Sequence, residues 1–211
     1  MLSVGFALLY WLGDRGAGLE FPSVLLLLAK GFAIWLLIAA VIINRRPGWA
    51  ILTAGLVAHS AGDLALDSTS ILLAIGFFLL GHLAYLVAFL RRSSGAWCLA
   101  RLISAVLIAL LGAIALWVLL PRLPQTLQIV VPFYVAVIVA MAVSAQRWPL
   151  PIALGAWAYI ISDSLIGWSR FVGSIGFAAV LTWPLYYLAQ FLITLHWRRH
   201  SAPPGQEDPS P

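Results

Sequence analysis

Charge is what this chain has least of: only 9% of its 211 residues are Asp, Glu, Lys or Arg, while 63% are hydrophobic. A soluble domain covers its core with charged side chains, and 12 basic plus 7 acidic residues cannot cover one this apolar. A water-soluble globular protein is therefore excluded. Cysteine is nearly absent too, since the lone Cys98 can form neither an intrachain disulfide nor a multi-cysteine metal site. The chain also lacks a P-loop, a Gly-rich dinucleotide fingerprint and a Gly-x-Ser-x-Gly nucleophile elbow, which disfavours the nucleotide-dependent enzymes and serine hydrolases that those motifs mark. Ser162 and Ser164 flank Asp163, but adjacent helical residues point apart, so neither makes a local Ser-Asp pair. The formal net charge of +5 does not indicate nucleic acid, because the basic residues stand in short pairs between apolar runs.

Long apolar sequence is what the chain has in abundance. Runs bounded by charges, Pro or Gly fall near residues 2–12, 22–43, 49–67, 70–90, 98–120, 126–145, 149–168 and 174–197. A membrane-spanning helix needs roughly 17 to 25 residues, so every run but the first is long enough. The first lacks a basic stretch ahead of it, which argues against a secretory signal; it reads as a short or tilted helix extending toward Leu19. Strands are disfavoured by the absence of period-2 alternation and by the need to satisfy every backbone group within the segment. The expected fold is all-α: a polytopic membrane bundle of eight helices over residues 1–197, followed by a polar, Pro-rich tail over 198–211 that is expected to be disordered and cytoplasmic.

Loop arginines predict the orientation. One side receives Arg45, Arg46, Arg91, Arg92, Arg101, Arg147, Arg198 and Arg199, the other only Arg15, Arg122 and Arg170, so both termini are expected in the cytoplasm of a plasma or inner membrane.

Ionisable side chains inside such helices cost roughly 2.5 to 3.5 kcal/mol each at mid-span and therefore need a reason. Lys30, Asp63, His82 and Asp163 stand out. Counting from Trp49 and from Pro149, each aspartate lies 14 positions into its run, about 21 Å along the helix axis, so the two carboxylates share one depth. Lys30 and Tyr134, counted from the opposite side, fall at a similar level of about 12 Å, and His82 at about 18 Å. A polar cavity opening toward the outer leaflet, with Asp63 and Asp163 facing across it and Lys30 and His82 in its wall, is the expectation.

Helical spacing stacks further polar groups on these faces: His59 with Asp63, Tyr159 with Asp163, His82 with Tyr85, and Tyr186 and Tyr187 with Gln190. Each residue also has a plainer reading. Asp63, four residues from Asp67, has an interfacial position as its lesser reading; Lys30 reads as a snorkelling residue or a structural partner for a carboxylate; His82 reads as a hydrogen-bonded core histidine; and the tyrosines and Gln190 read as helix packing. His196 and His200 have the spacing of two metal ligands but sit on a basic helix end without a nearby carboxylate, so they read as an anchor, and no metal site is expected.

The ordered set Gly62-Asp63, Gly81-His82-Leu83-Ala84-Tyr85, Tyr134 with Met141-Ala142, Gly155-Ala156 with Tyr159 and Ser162-Asp163-Ser164, Phe171, and Tyr187-Leu188-Ala189-Gln190 resembles the YhhN family of membrane proteins, from about residue 25 to 195. Lys30 fits as well, although Gly31 stands where the family usually has Pro. The resemblance implies hydrolysis of the vinyl ether bond of lysoplasmalogens to a fatty aldehyde and a glycerophospho head group, without a cofactor. It implies Asp63 and Asp163 as the acid and base, with Lys30, His82, Tyr85, Tyr134, Ser162, Tyr187 and Gln190 as substrate-binding residues. Two neighbouring carboxylates in a poorly solvated cavity do not both ionise easily, which leaves one as a proton donor and the other as a negative charge. The expected partners are a lysophospholipid substrate and the bilayer. A transporter or lipid-flipping protein using the buried Asp, Lys and His residues is the competing reading, disfavoured by the lack of clear inverted repeats.

Overall fold

The computed structural model describes residues 1–14, 22–67, 70–91 and 95–200, apart from the side chains of Asp67 and of residues 198–200. Among these residues all regular structure is helical: α1 Leu2–Asp14, α2 Ser23–Asn44, α3 Trp49–Asp67, α4 Ile71–Arg91, α5 Leu99–Leu119, α6 Val130–Ala145, α7 Leu150–Phe171 and α8 Gly176–His200. Two short 3-10 turns, Leu120–Arg122 and Gln125–Leu127, join α5 to α6. Arg15, Leu19, Arg92 and the expected tail beyond residue 200 lie outside the described residues.

Sequence punctuation explains these boundaries. Pro22 and Pro149 stand at the N-caps of α2 and α7, where their missing N–H leaves no helical bond unmade. Pro121 and Pro124 break the α5–α6 connection into its tight turns. Arg45 closes α2 in the left-handed conformation, its N–H donating to Val41 O at 3.0 Å. Gly48 follows at φ +85° and turns the chain into α3 beneath the Trp197 ring, whose Nε1 donates to Pro47 O at 3.3 Å. Pro184 sits inside α8, where it removes one backbone donor from the helical ladder.

Among the described residues seven spans are long and apolar enough to cross a membrane, those of α2 to α8, with α6 counted together with the 3-10 turn before it as Gln125–Ala145. The 13 residues of α1 span about 20 Å, less than a hydrocarbon core of about 30 Å. The expectation of eight helices with a short first one matches this arrangement. Apolar side chains are exposed along whole faces, as Leu102, Ile103, Val106, Leu110, Ile114 and Trp117 of α5 illustrate. Water does not tolerate such a surface and lipid does. The protein is an integral membrane protein.

Packing is pairwise. α3 lies most extensively against α4 and α7 against α8, while α6 touches α4, α5 and α7, and α8 returns to α1 and α2. The α3–α4 contact depends on small residues: an added Cβ at Gly81 would run into the His59 ring. Gly81→Leu should therefore lower the melting temperature of the detergent-solubilised protein, in keeping with overpacking losses of about 1–3 kcal/mol. The same change at Gly76, with nothing within 4 Å of the added Cβ, should be close to neutral. Equal effects at both positions would contradict this account of the contact.

Candidate active site

Among the described residues two clusters of polar side chains occupy the interior. In the first, Lys30 of α2 and Asp63 of α3 form a buried ion pair with Nζ–Oδ1 at 3.5 Å. Tyr186 of α8 donates its hydroxyl to Asp63 Oδ2 at 2.8 Å. The ammonium also lies 5.4 Å from the ring centre of Tyr10 and 5.7 Å from that of Trp183, so aromatic faces take the place of the water it has lost. Two further groups extend the cluster in a line: Gln190 Nε2 donates to Tyr186 Oη at 3.3 Å, and Tyr85 donates to Gln190 Oε1 at 2.6 Å.

The second cluster centres on Asp163 of α7. Tyr134 of α6 donates its hydroxyl to Asp163 Oδ2, and His82 Nε2 of α4 lies 3.1 Å from that oxygen and 3.1 Å from Tyr134 Oη. Both contacts fall on Oδ2, so Oδ1 has no protein partner among the described residues. His82 Nδ1 and His59 Nε2 are buried without a hydrogen-bond partner among the described residues. His59 joins the two clusters: its ring lies 4.7 Å from His82, 5.1 Å from Tyr159 and 6.2 Å from Tyr186, and its Nδ1 is 2.7 Å from Gly55 O.

A cavity of about 760 Å³, its open mouth included, lies between α4, α5, α6 and α7. Its walls are mostly aliphatic and aromatic, from Ile71, Phe78, Leu119, Val131 and Ile138 among others, and the polar groups among them include Asp163, Tyr134 and Arg170. This differs from the expectation of one cavity between two facing carboxylates. Asp63, Lys30 and His82 are absent from this wall: Lys30 pairs with Asp63, and His82 is buried against the His59 ring at 4.7 Å.

The remaining sequence-selected residues are placed as follows. Ser162 donates to Thr182 O at 2.9 Å and ties α7 to α8 without joining either cluster. Tyr187 Oη is 2.6 Å from Ser3 Oγ, which fastens α8 to α1. His196 Nδ1 is 3.2 Å from Leu192 O in its own helix. Tyr186, rather than Tyr187, joins the first cluster; its i, i+4 spacing to Gln190 was the available signal. Arg170, seven residues and nearly two helical turns after Asp163, shares its face, although in the sequence a basic residue at a helix end reads as a topology signal.

Fold and site together define a polytopic membrane protein that buries clusters of ionisable side chains, one of them bordering an apolar cavity. Within that class the chain belongs to the YhhN family, whose model matches residues 25–197. It is also similar to the lysoplasmalogenase TMEM86A of Bos taurus, at 28% identity over 181 residues covering 78% of this chain and 73% of that protein. No solved structure matches the chain.

Buried pairs are strongly destabilised when one partner is removed, typically by about 3–5 kcal/mol, because the other charge is left without compensation. Lys30→Met and Asp63→Asn should each lower the melting temperature in detergent, and the double variant should recover a large part of the loss. Additive losses in this double-mutant cycle would show that the pair is not the unit of stability.

Proposed function

We propose that this protein is a membrane-embedded hydrolase that cleaves the vinyl ether bond of lysoplasmalogens, releasing a fatty aldehyde and a glycerophospho head group. Membership of the YhhN family and similarity to a lysoplasmalogenase support the reaction class. The observation that carries it is Asp163 on the wall of an apolar cavity, with Tyr134 and His82 on one carboxyl oxygen and the other free of protein partners among the described residues.

A vinyl ether breaks once its β-carbon is protonated. Asp163, as the neutral acid, gives its Oδ1 proton to that carbon, and the C=C electrons form the new C–H bond while the ether oxygen shares positive charge with its neighbouring carbon. The carboxylate left behind is stabilised through Oδ2 by the Tyr134 hydroxyl and the His82 Nε2–H, and it faces the oxocarbenium ion at close range. Water adds to the cationic carbon and returns a proton to Asp163. The hemiacetal then collapses, its hydroxyl proton passing to the departing glycerol oxygen, which yields the aldehyde. One water is consumed and no electrons are exchanged with a further reactant.

In this proposal Asp63 is a positioning residue. Paired with Lys30, it keeps a negative charge behind the reacting group and orders Tyr186 and, through the ring contacts, His59 and His82. Tyr85 and Gln190 extend the same ordered line. The arginine asymmetry supports cytoplasmic termini and hence a cavity mouth in the opposite leaflet; an impermeant label reaching a C-terminal tag from outside intact cells would contradict that orientation.

Asp163→Asn keeps the shape and the hydrogen bonds but removes the transferable proton. Aldehyde release by folded protein in detergent should fall about 10²- to 10⁴-fold, with binding of a saturated ether lysolipid nearly unchanged. Near-wild-type release would defeat the proposal. Because detergent abolishes any sealed compartment, release there also separates a hydrolase from a transporter.

A further inference from the structure

Arg170 lines the same cavity as Asp163 but lies seven positions further along α7, with Gly167 between them. At 1.5 Å per residue the offset is about 10.5 Å along the axis, and nearly two whole turns keep both residues on one face. The Asp163 side chain is 14% exposed, whereas Arg170 is exposed at the end of the helix, next to Phe171 of the same wall. Gly167, between them, packs against Leu119 of the same wall, where an added Cβ would sit 3.1 Å from Leu119 Cδ1. Lys30 is buried against Asp63 and does not face this space.

We infer that Arg170 is the head-group phosphate site of the cavity, and that it positions an amphiphile with its ether bond at Asp163. The inference rests on the hydrolase reading for the identity of that bond, while the anion site stands on the geometry alone. In a lysoplasmalogen the extended path from phosphorus to the vinyl β-carbon is about 9 Å at ordinary bond lengths and angles, close to the helical offset between the two residues. A guanidinium offers a planar fork of N–H donors that matches two phosphodiester oxygens, and it stays charged at any physiological pH. At the mouth the phosphate keeps part of its hydration, so pairing does not require full desolvation of either ion. Arg170 thus selects phosphate-bearing lipids over neutral alkenylglycerols and sets how far the chain enters.

The test uses the full-length protein in detergent and two uncleavable probes of equal chain length, a 1-O-alkyl lysophosphocholine and a 1-O-alkylglycerol. Wild type should bind the phospholipid about 10-fold more tightly. Arg170→Gln should abolish that preference without changing affinity for the alkylglycerol, and Arg170→Lys should keep part of it. On the alkenyl substrates, Arg170→Gln should raise KM for the phospholipid by a similar factor, with a smaller fall in kcat, and should not raise KM for the alkenylglycerol. Equal wild-type affinity for the two probes, a preference that survives in Arg170→Gln, or the same loss with both lipids would overturn the assignment. Displacement of the phospholipid by a modest excess of inorganic phosphate would overturn it in favour of a free-anion site. An Arg170-dependent preference without aldehyde release would leave the phosphate site standing and defeat the hydrolase reading. Aldehyde release with undiminished discrimination in Arg170→Gln would do the reverse.

Discussion

Inside a hydrocarbon layer a carboxylate has no water to turn to, and each of the two interior aspartates here has been given its partners by other helices. Asp63 of α3 takes Lys30 from α2 and Tyr186 from α8. Asp163 of α7 takes Tyr134 from α6 and His82 from α4. These six helices are thereby held in one mutual arrangement, since losing any one of them leaves a polar group facing lipid or an empty space. Van der Waals packing alone specifies helix positions weakly in a membrane, where the lipid tails are as apolar as the side chains. The polar contacts supply the specificity.

The two clusters differ in what surrounds them, and that difference separates their chemistry. Lys30 and Asp63 are enclosed by Tyr10, Trp183 and Tyr186, with matched charge and no place on the cavity wall. Asp163 borders the cavity and has one oxygen without a protein partner among the described residues. His59 lies between them, held by Gly55 O and brought close to His82 by the bare backbone of Gly81. A side chain at Gly81 would push α3 from α4 and move both His59 and the carboxylate cluster that leans on it. Helix packing and site geometry are therefore one problem in this protein.

Much of this was legible from sequence because helix geometry is rigid. Apolar run lengths and proline positions fix the spans, and counting 1.5 Å per residue from opposite sides puts Lys30 at the level of Asp63 and Tyr134 at the level of Asp163; in both pairs the side chains meet. Depth is readable, but azimuth is not, since no count along a single helix tells which neighbour its polar face meets. Depth alone therefore suggests one cavity with two facing carboxylates where two clusters occur, and it does not separate Tyr186 from its neighbour Tyr187, which points to Ser3 of α1. Arg170 could have been found by extending the face of Asp163 to the helix end, but a basic residue there reads first as a topology signal.

Carbon protonation at Asp163 leaves a signature that no ester hydrolysis or transport cycle produces. Purified protein in detergent, incubated in heavy water with a lysoplasmalogen and with the aldehyde trapped as it forms, should yield an aldehyde carrying one deuterium on the carbon next to the carbonyl, and Asp163→Asn should not. Unlabelled aldehyde, or fatty acid released from ester lysolipids with no aldehyde from the vinyl ether, would contradict the account.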